Sequence, residues 1–245
     1  MYILAIETTG KFGSVSLIDN KGTAIGYLET TDPMSHLKNL IPMIKKLLED
    51  AGIEKKQLTH VAVSVGPGSF TGIRIGVSTA RALCQCLNIP AVAVPTLDSF
   101  LYKVEARNVR DSEIVCAIIN ARRNQVYGII DEYMESQACM ISDVIEIITS
   151  KVFPKGQSVM FMGDGIDAYK GQIEESLSGL GEYRFVSEES RYQDAESVGA
   201  MAFTMVQEGK VRCFSELLPD YMRKAEAEQK LEAGELPICK GPKQE

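Results

Sequence analysis

The sequence predicts an α/β protein made of two related lobes, each of which opens with a β-hairpin and continues as a mixed sheet flanked by helices. Three observations lead to this fold class. Short β-favouring segments open the chain, the apolar residues that follow them recur with the period of a helix, and the second half repeats the outline of the first.

The first thirty residues predict an antiparallel meander at the edge of a sheet. Residues 2–6, 13–18 and 24–29 are short, mostly apolar segments that favour strands. A turn-forming cluster, residues 19–22, separates the second segment from the third. Connections this short join strands that lie side by side.

The pattern then changes to helices that alternate with buried strands. Apolar residues at spacings of three and four predict one face of a helix that Gly52 ends: Leu37, Leu40, Ile41, Ile44, Leu47 and Leu48. Residues 60–65 predict a buried strand, 66–72 a glycine-rich turn, 73–87 a second helix and 91–94 a further strand.

The second half begins in the same way as the first. Residues 114–119 and 125–130 predict two strands around a polar turn. Asn120 therefore corresponds to Glu7, and this agreement in element order indicates a duplication. Two halves that each open with a hairpin after a polar strand tip are typical of the actin, Hsp70 and sugar-kinase superfamily.

The remaining elements complete the predicted second lobe. Residues 158–162 predict a strand, 198–206 predict a helix, and the charged tail is expected to be loose beyond about Glu235. We place the boundary between the lobes after residue 106, which gives an N-terminal lobe of 1–106 and a C-terminal lobe of 107–245.

Composition and charge limit the possible functions. The 245 residues are 45% hydrophobic and 24% charged, as in an ordinary folded protein. The net charge of −7 and the lack of any run of four basic residues argue against a protein that holds RNA unaided. We expect no signal peptide, because the start has no basic segment and meets an acid at position 7, and no apolar run approaches the ~20 residues that cross a bilayer. We expect a cytoplasmic protein that does not bind membranes.

Metal and thiol chemistry are not expected. The six cysteines are scattered, and the one close pair, Cys84 and Cys86, has no second pair or histidine beside it. The two histidines, His36 and His60, belong to no obvious ligand set. We therefore expect reduced cysteines and no metal site.

Two segments of the first lobe could hold phosphate. Glu7, Thr8 and Thr9 form a polar strand tip, where superfamily ATPases carry an acid that organises metal and phosphate; a tight turn is the alternative interpretation. Gly66, Gly68 and Ser69 belong to a glycine-rich loop before a helix, which is a typical phosphate position.

That loop matches no catalytic motif. The Gly-Lys-Ser/Thr ending of a Walker A loop does not follow it, and Pro67 stands where a nucleophile elbow needs glycine. Gly163 and Gly165 frame the equivalent turn of the second lobe, and a Gly-Asp-Gly turn alone indicates little. We interpret all three segments as vestiges of a nucleotide site.

The helix after the loop is unusually small-sided. Gly72, Gly76 and Ala80 would let another helix approach closely. Ile73 and Val77 would add contact area, whereas Arg74 lies in the first turn, where the helix dipole disfavours a cation. Association with a partner helix and tight packing inside the chain's own lobe are the two alternatives.

Several of these segments together resemble one family. Residues 3–9 (ILAIETT), 13–17 (GSVSL) and 64–76 (SVGPGSFTGIRIG) are similar, nearly residue for residue, to the TsaB (YeaZ) family. Segments with a looser match are 94–97 (VPTL), 120–123 (NARR), 126–127 (VY), 161–165 (FMGDG) and 219–223 (PDYMR). Asn120 departs from the acid that the family usually has there.

The resemblance implies a degenerate paralogue of TsaD that is not an enzyme by itself. TsaD transfers a threonylcarbamoyl group to N6 of adenosine 37 in tRNAs that read ANN codons, and the TsaB-type subunit supports it as a heterodimer. At the positions of TsaD's metal-binding histidine pair this chain has Thr96 and Phe100, which cannot replace imidazole ligands.

The resemblance also implies the partners. The small-sided helix and the helix before it, with Leu40 and Ile44, would contact TsaD, or a second copy of the chain when TsaD is missing. The ATPase TsaE would act on the complex, and tRNA would be bound indirectly. No tightly bound cofactor is expected, although the resemblance allows ATP or ADP at the boundary with TsaD.

Two other functions stay open at this point. An ATP-dependent small-molecule kinase of the same superfamily would need an acid and phosphate loops in both halves. A peptidase would need a metal set or an activated serine, and Ser69 has no base near it in sequence.

Overall fold

Two five-stranded sheets organise the computed structural model, which describes residues 1–30 and 36–222, with the backbone alone at 36, 37, 104 and 107. The first sheet contains β1 (Ile3–Glu7), β2 (Ser14–Ile18), β3 (Ala24–Glu29), β4 (His60–Gly66) and β5 (Ala91–Pro95). The second contains β6 (Glu113–Asn120), β7 (Gln125–Ile130), β8 (Met134–Met140), β9 (Ser158–Met162) and β10 (Tyr183–Phe185).

The two sheets have the same topology. In the first, β1 pairs antiparallel with β2 and parallel with β4, in the order β3-β2-β1-β4-β5. In the second, β6 pairs antiparallel with β7 and parallel with β9, in the order β10-β9-β6-β7-β8. The predicted α/β fold with two related lobes is confirmed, and Glu7 and Asn120 end equivalent strands.

Seven α-helices flank the sheets within the described residues. They are α1 (His36–Asp50), α2 (Phe70–Leu87), α3 (Thr96–Ser99), α4 (Val104–Arg107), α5 (Ile141–Ile147), α6 (Gly165–Leu177) and α7 (Ala195–Gln207). A π-helical segment, Ile148–Val152, extends α5. Short 3-10 helices lie at Lys55–Gln57, Phe100–Tyr102, Phe153–Lys155 and Phe214–Glu216.

Capping side chains explain where two helices begin. The N–H of Gly72 donates to Ser69 Oγ over 3.2 Å, so α2 begins three residues before the predicted start. Likewise, the N–H of Ser197 donates to Asp194 Oδ1 over 2.7 Å, and α7 begins at Ala195 rather than at 198. In both cases the polar cap, and not the first apolar residue, sets the boundary.

Six α-helices and strands were not predicted: α3, α4, α5, α6, β8 and β10. In α6 the signal was present, because Ile166, Tyr169, Ile173 and Leu177 recur at helical spacing and are buried. By contrast, β8 is a largely exposed edge strand whose polar residues show no clear alternation. The predicted loose tail beyond Glu235 lies outside the described residues.

Each lobe is completed by a helix from the other half of the sequence. On one face of the first sheet lie α1 and α2, and α7 covers the other, where Val198 and Ala202 pack against Ile3 and Ala5. In return, Phe100 belongs to the core of the second sheet. A boundary after residue 106 separates the two sheets, but it does not separate the layers that cover them.

A buried ion pair joins the two segments of the chain that pass between the lobes. The first segment follows α3, and the second leads back into α7. Lys103, in the first of these segments, is 6% exposed, and its Nζ donates to the carbonyl of Tyr192 over 2.8 Å. The same ammonium pairs with the carboxylate of Asp194, which also caps α7. The ion pair therefore joins the segment between the lobes to the start of α7, the helix that covers the first sheet.

Replacing Lys103 with methionine would leave Asp194 without its cation in a largely buried place. We expect Lys103→Met to lower the free energy of unfolding by about 3–5 kcal/mol. Lys46→Met breaks an exposed ion pair with Asp50 and should cost less than about 1 kcal/mol. Urea unfolding of both variants measures the difference, and equal losses would contradict this role for Lys103.

Candidate functional site

The segments predicted as phosphate loops meet at one cleft between the lobes. The carboxyl ends of β1 and β4 in the first sheet, and of β6 and β9 in the second, point toward it. The cleft has a volume of about 940 Å³ and is lined by Thr9, Lys11, Ser69, Arg122 and Asp164, among others. These loops follow equivalent strands of the two lobes, and the fold brings them together.

Glu7 does not reach this cleft. It is fully buried, and its carboxylate accepts hydrogen bonds from the N–H of Thr9 and the hydroxyl of Ser64. Burial raises the pKa of Glu7 above its ordinary value of 4.5, and the two hydrogen bonds oppose that shift. The acid is therefore enclosed at the end of β1 instead of facing a ligand.

The glycines of the following loop make room for the chain's own backbone. A Cβ on Gly68 would lie 2.6 Å from the carbonyl oxygen of Thr9, and one on Gly72 would overlap the carbonyl oxygen of Thr8. The hydroxyl of Thr8 donates to the carbonyl of Gly72 over 2.7 Å, and the N–H of Ser69 donates to that of Thr9 over 2.7 Å. The loop thus closes on the tip of β1.

This packing corrects the interpretation of the small-sided helix. A Cβ on Gly76 would meet the Thr8 hydroxyl and a methyl group of Val63, so this glycine serves contacts inside the lobe. Six further positions that were assigned to the partner surface are also buried within the chain: Leu40, Ile44, Gly72, Ile73, Val77 and Ala80. Of the eight assigned residues, only Arg74 is exposed.

Arg74 is held by two aromatic rings. Its guanidinium lies 4.1 Å from the centroid of the Phe70 ring, and its Nε donates to the hydroxyl of Tyr221 over 3.0 Å. The rings of Phe70 and Tyr221 are stacked with centroids 4.6 Å apart. These contacts offset the unfavourable position of a cation in the first turn of a helix. The only sequence signal for Tyr221 was the match at 219–223.

The second lobe repeats the close packing of the first. Gly163 and Gly165 both press against the carbonyl of Ile118, near the end of β6, as Gly68 and Gly72 press against the end of β1. The N–H of Asn120 donates to Asp164 Oδ1 over 3.0 Å, and burial raises the pKa of Asp164 to about 6. The acid of this lobe therefore lies on the loop and not on the strand tip.

Groups of three or more His, Cys, Asp or Glu side chains that could hold a metal are missing from residues 1–30 and 36–222. Thr96 and Phe100 are both buried in the interior, with 0% and 1% of their surface exposed. The Phe100 ring packs in the core of the second sheet. In the same part of the chain, every helix is too short or too polar to cross a membrane.

Gly72→Ala tests the close approach of the loop to β1. Because the added methyl group would overlap the backbone of Thr8, we expect a loss of about 1–3 kcal/mol or more in the free energy of unfolding. Gly171→Ala in α6 is the matched control, since a Cβ there meets nothing within 4 Å, and should stabilise the protein by about 0.5–1 kcal/mol. Chemical denaturation gives both values.

The raised pKa of Glu7 predicts a pH dependence of stability. The folded state binds this proton more tightly than the unfolded state, so stability contributed by the protonated form is lost as the pH rises above the ordinary value of 4.5. Glu7→Gln, which imitates the neutral acid, should remove that decline. Urea midpoints measured from pH 4.5 to 8 test this, and parallel curves for the two proteins would contradict it.

Comparison with known proteins identifies the family. Residues 33–231 match the family model described as TsaD, tRNA N6-adenosine threonylcarbamoyltransferase. The tRNA threonylcarbamoyladenosine biosynthesis protein TsaB of Bacillus subtilis is 31% identical over 239 residues, which cover 94% of this chain and 97% of that protein. The TsaB protein of Haemophilus influenzae is 29% identical, over 72% of this chain and 78% of its own.

A solved structure agrees with both results. YeaZ from Pseudomonas aeruginosa superposes with a TM-score of 0.68 at 25% identity, over 90% of this chain and 99% of that one. At 90% coverage of this chain, the agreement includes residues of both lobes. The chain belongs to the TsaB (YeaZ) family of tRNA threonylcarbamoyladenosine biosynthesis proteins.

Proposed function

We propose that this chain is a non-catalytic subunit that binds a TsaD-type protein and holds it in an active arrangement. The reaction of the complex is transfer of a threonylcarbamoyl group to N6 of adenosine 37 in tRNAs that read ANN codons, in the cytoplasm. The names of the relatives and the description of the matching family model support a place in this pathway.

The observation that carries the proposal is the enclosure of the first-lobe loops. Glu7 is fully buried and its oxygens are occupied by Thr9 and Ser64, so it is not placed to organise a metal or a phosphate. Gly68 and Gly72 lie against the backbone of the same strand tip, which leaves little room for a ligand there. In this chain, its own backbone and side chains occupy the space where an enzyme of the superfamily would hold its ligand. Such a chain is suited to a supporting role.

The outward faces of α1 and α2 are the surface that we assign to TsaD. The inward faces of both helices pack on the first sheet, and their opposite faces present Ile41, which is 56% exposed, together with Arg74, Ser78 and Ala82. Phe70, in the first turn of α2, is also 37% exposed, and small side chains such as Ser78 and Ala82 let a partner helix approach closely. The same surface would join two copies of the chain when TsaD is missing.

Other components contact the complex rather than this chain alone. With a net charge of −7, the chain is not expected to hold much of the tRNA, which we assign mainly to the partner. We propose that the ATPase TsaE acts on the heterodimer and that ATP or ADP binds only at the boundary of the two subunits.

A superfamily kinase is the second candidate function, because the cleft of about 940 Å³ is large enough for a nucleotide and is lined by Lys11 and Arg122. It requires that the isolated chain bind Mg-ATP. Calorimetric titration decides between the two functions: tight, stoichiometric binding by the isolated chain favours the kinase, and the lack of binding favours the supporting subunit.

Ile41→Glu and Ala82→Arg test the proposed surface. Because both side chains point away from the core, we expect folded proteins that bind a TsaD-type partner at least about tenfold more weakly. Gly76 is unsuitable for this test, since any side chain there would strike Thr8. Co-purification and the threonylcarbamoyladenosine content of tRNA are the measurements.

Lys170→Glu on α6 is the control for that experiment, because Lys170 is exposed on the other lobe. It should leave binding unchanged. Wild-type affinity in both Ile41→Glu and Ala82→Arg would rule out this surface.

A further inference from the structure

The surface formed by α1 and α2 is basic, although the chain as a whole has a net charge of −7. On these two helices the cations outnumber the carboxylates by five to two: Lys38, Lys45, Lys46, Arg74 and Arg81 against Glu49 and Asp50. A basic surface attracts an acidic surface and repels another basic one. The charge of this surface therefore discriminates between possible partners.

Both carboxylates of this surface are already paired within α1. The Nζ of Lys45 lies 3.6 Å from Glu49 Oε1, and the Nζ of Lys46 lies 2.8 Å from Asp50 Oδ2. The whole of α2 contains no Asp or Glu. A second copy of the chain that docked through the same two helices would bring the same side chains, so it would offer the arginines of α2 no unpaired carboxylate.

Arg74 is the cation of this surface that the fold holds in place. The Phe70 ring lies under its guanidinium, and the Tyr221 hydroxyl accepts from its Nε. Its two terminal nitrogens have no hydrogen-bond or ion-pair partner within residues 1–30 and 36–222. A guanidinium that is oriented in this way binds a carboxylate through two parallel hydrogen bonds and loses little side-chain entropy in doing so.

The neighbours of Arg74 fit a protein surface. Arg74 belongs to a row of exposed residues at spacings of three and four along α2, and Ser78 and Ala82 follow it in that row. Ile41 and Phe70 add exposed apolar side chains beside it. The phosphates of RNA would leave these apolar groups uncovered, whereas a protein that carries both apolar and acidic side chains matches the whole surface.

We propose that Arg74 makes this surface select an acidic face of the TsaD-type partner over a second copy of the chain. The inference rests on the proposed function, which places both proteins at the same two helices. In the heterodimer, the guanidinium of Arg74, positioned by Tyr221, binds a carboxylate of the partner. In a homodimer, the same charge leaves water without gaining a carboxylate, and two basic surfaces meet.

Arg74→Gln tests the proposal, because it should change two affinities in opposite directions. We expect it to weaken binding to the TsaD-type partner at least about tenfold, since the carboxylate of the partner loses its cation. It should strengthen self-association of the isolated chain at least about threefold, since an unmatched charge is removed. Calorimetry measures the first affinity, and sedimentation equilibrium measures the second. A variant that weakened both, or left either unchanged, would overturn the proposal.

Lys155→Gln is the matched control. Lys155 is an exposed cation of the second lobe, and its Nζ lies 4.5 Å from the centroid of the Tyr133 ring. The variant removes the same charge from a similar setting outside α1 and α2, so both affinities should stay within about twofold of the wild type. Changes equal to those of Arg74→Gln would show an effect of net charge alone and would overturn the role of Arg74.

Tyr221→Phe separates the position of Arg74 from its charge. It keeps the stacked ring and removes the hydrogen bond to Nε. We expect the heterodimer to bind about twofold to fivefold more weakly, with the same salt dependence as the wild type because the charge remains. Arg74→Gln should reduce that salt dependence. Wild-type affinity in Tyr221→Phe would contradict the positioning role of Tyr221.

Two results separate this inference from the proposed function. If Ile41→Glu weakens partner binding and Arg74→Gln does not, the surface is correct and this inference alone is wrong. If the wild-type chain binds no TsaD-type protein, both are wrong. A complex of Arg74→Gln with unchanged heterodimer affinity but weaker tRNA binding would assign Arg74 to RNA phosphate and would also overturn the inference.

Discussion

The contact between the β4–α2 loop and the tip of β1 determines how the first lobe is built. Carbonyl oxygens of Thr8 and Thr9 lie where side chains at Gly72 and Gly68 would be, so the loop can close only with glycine at those positions. The hydroxyl of Thr8 and the N–H of Ser69 then bind across the contact. The loop, the strand tip and the first turn of α2 thereby form one closely packed unit.

That closure has chemical and geometric consequences. Glu7 is sealed below the contact with its oxygens occupied, so an acid that could otherwise meet a ligand becomes part of the interior. The inward face of α2 packs against the first sheet, so only its outward face remains for another protein. The residues that build the lobe and those that can meet a partner are therefore different residues on the same helix.

Each half of the sequence packs against the sheet of the other lobe, and the segments between the lobes make this possible. Because α7 covers the first sheet and Phe100 packs under the second, neither lobe has a complete core without the other half of the sequence. The ion pair of Lys103 and Asp194 joins the two segments that pass between the lobes.

The sequence by itself determined the two-lobed α/β fold, because apolar period and turn residues are local signals that strands such as β3, β7 and β9 carry in full. It also determined the family, through residues 64–76. Tertiary structure alone decided what those residues touch. A glycine indicates that something lies close to the backbone, but it does not indicate what. Gly72 and Gly76 therefore give the same signal in sequence whether a partner helix or Thr8 lies opposite. The joining of Lys103 to Asp194, 91 residues apart, and of Arg74 to Tyr221, 147 apart, likewise follows from the fold, because no local pattern encodes contacts between distant segments.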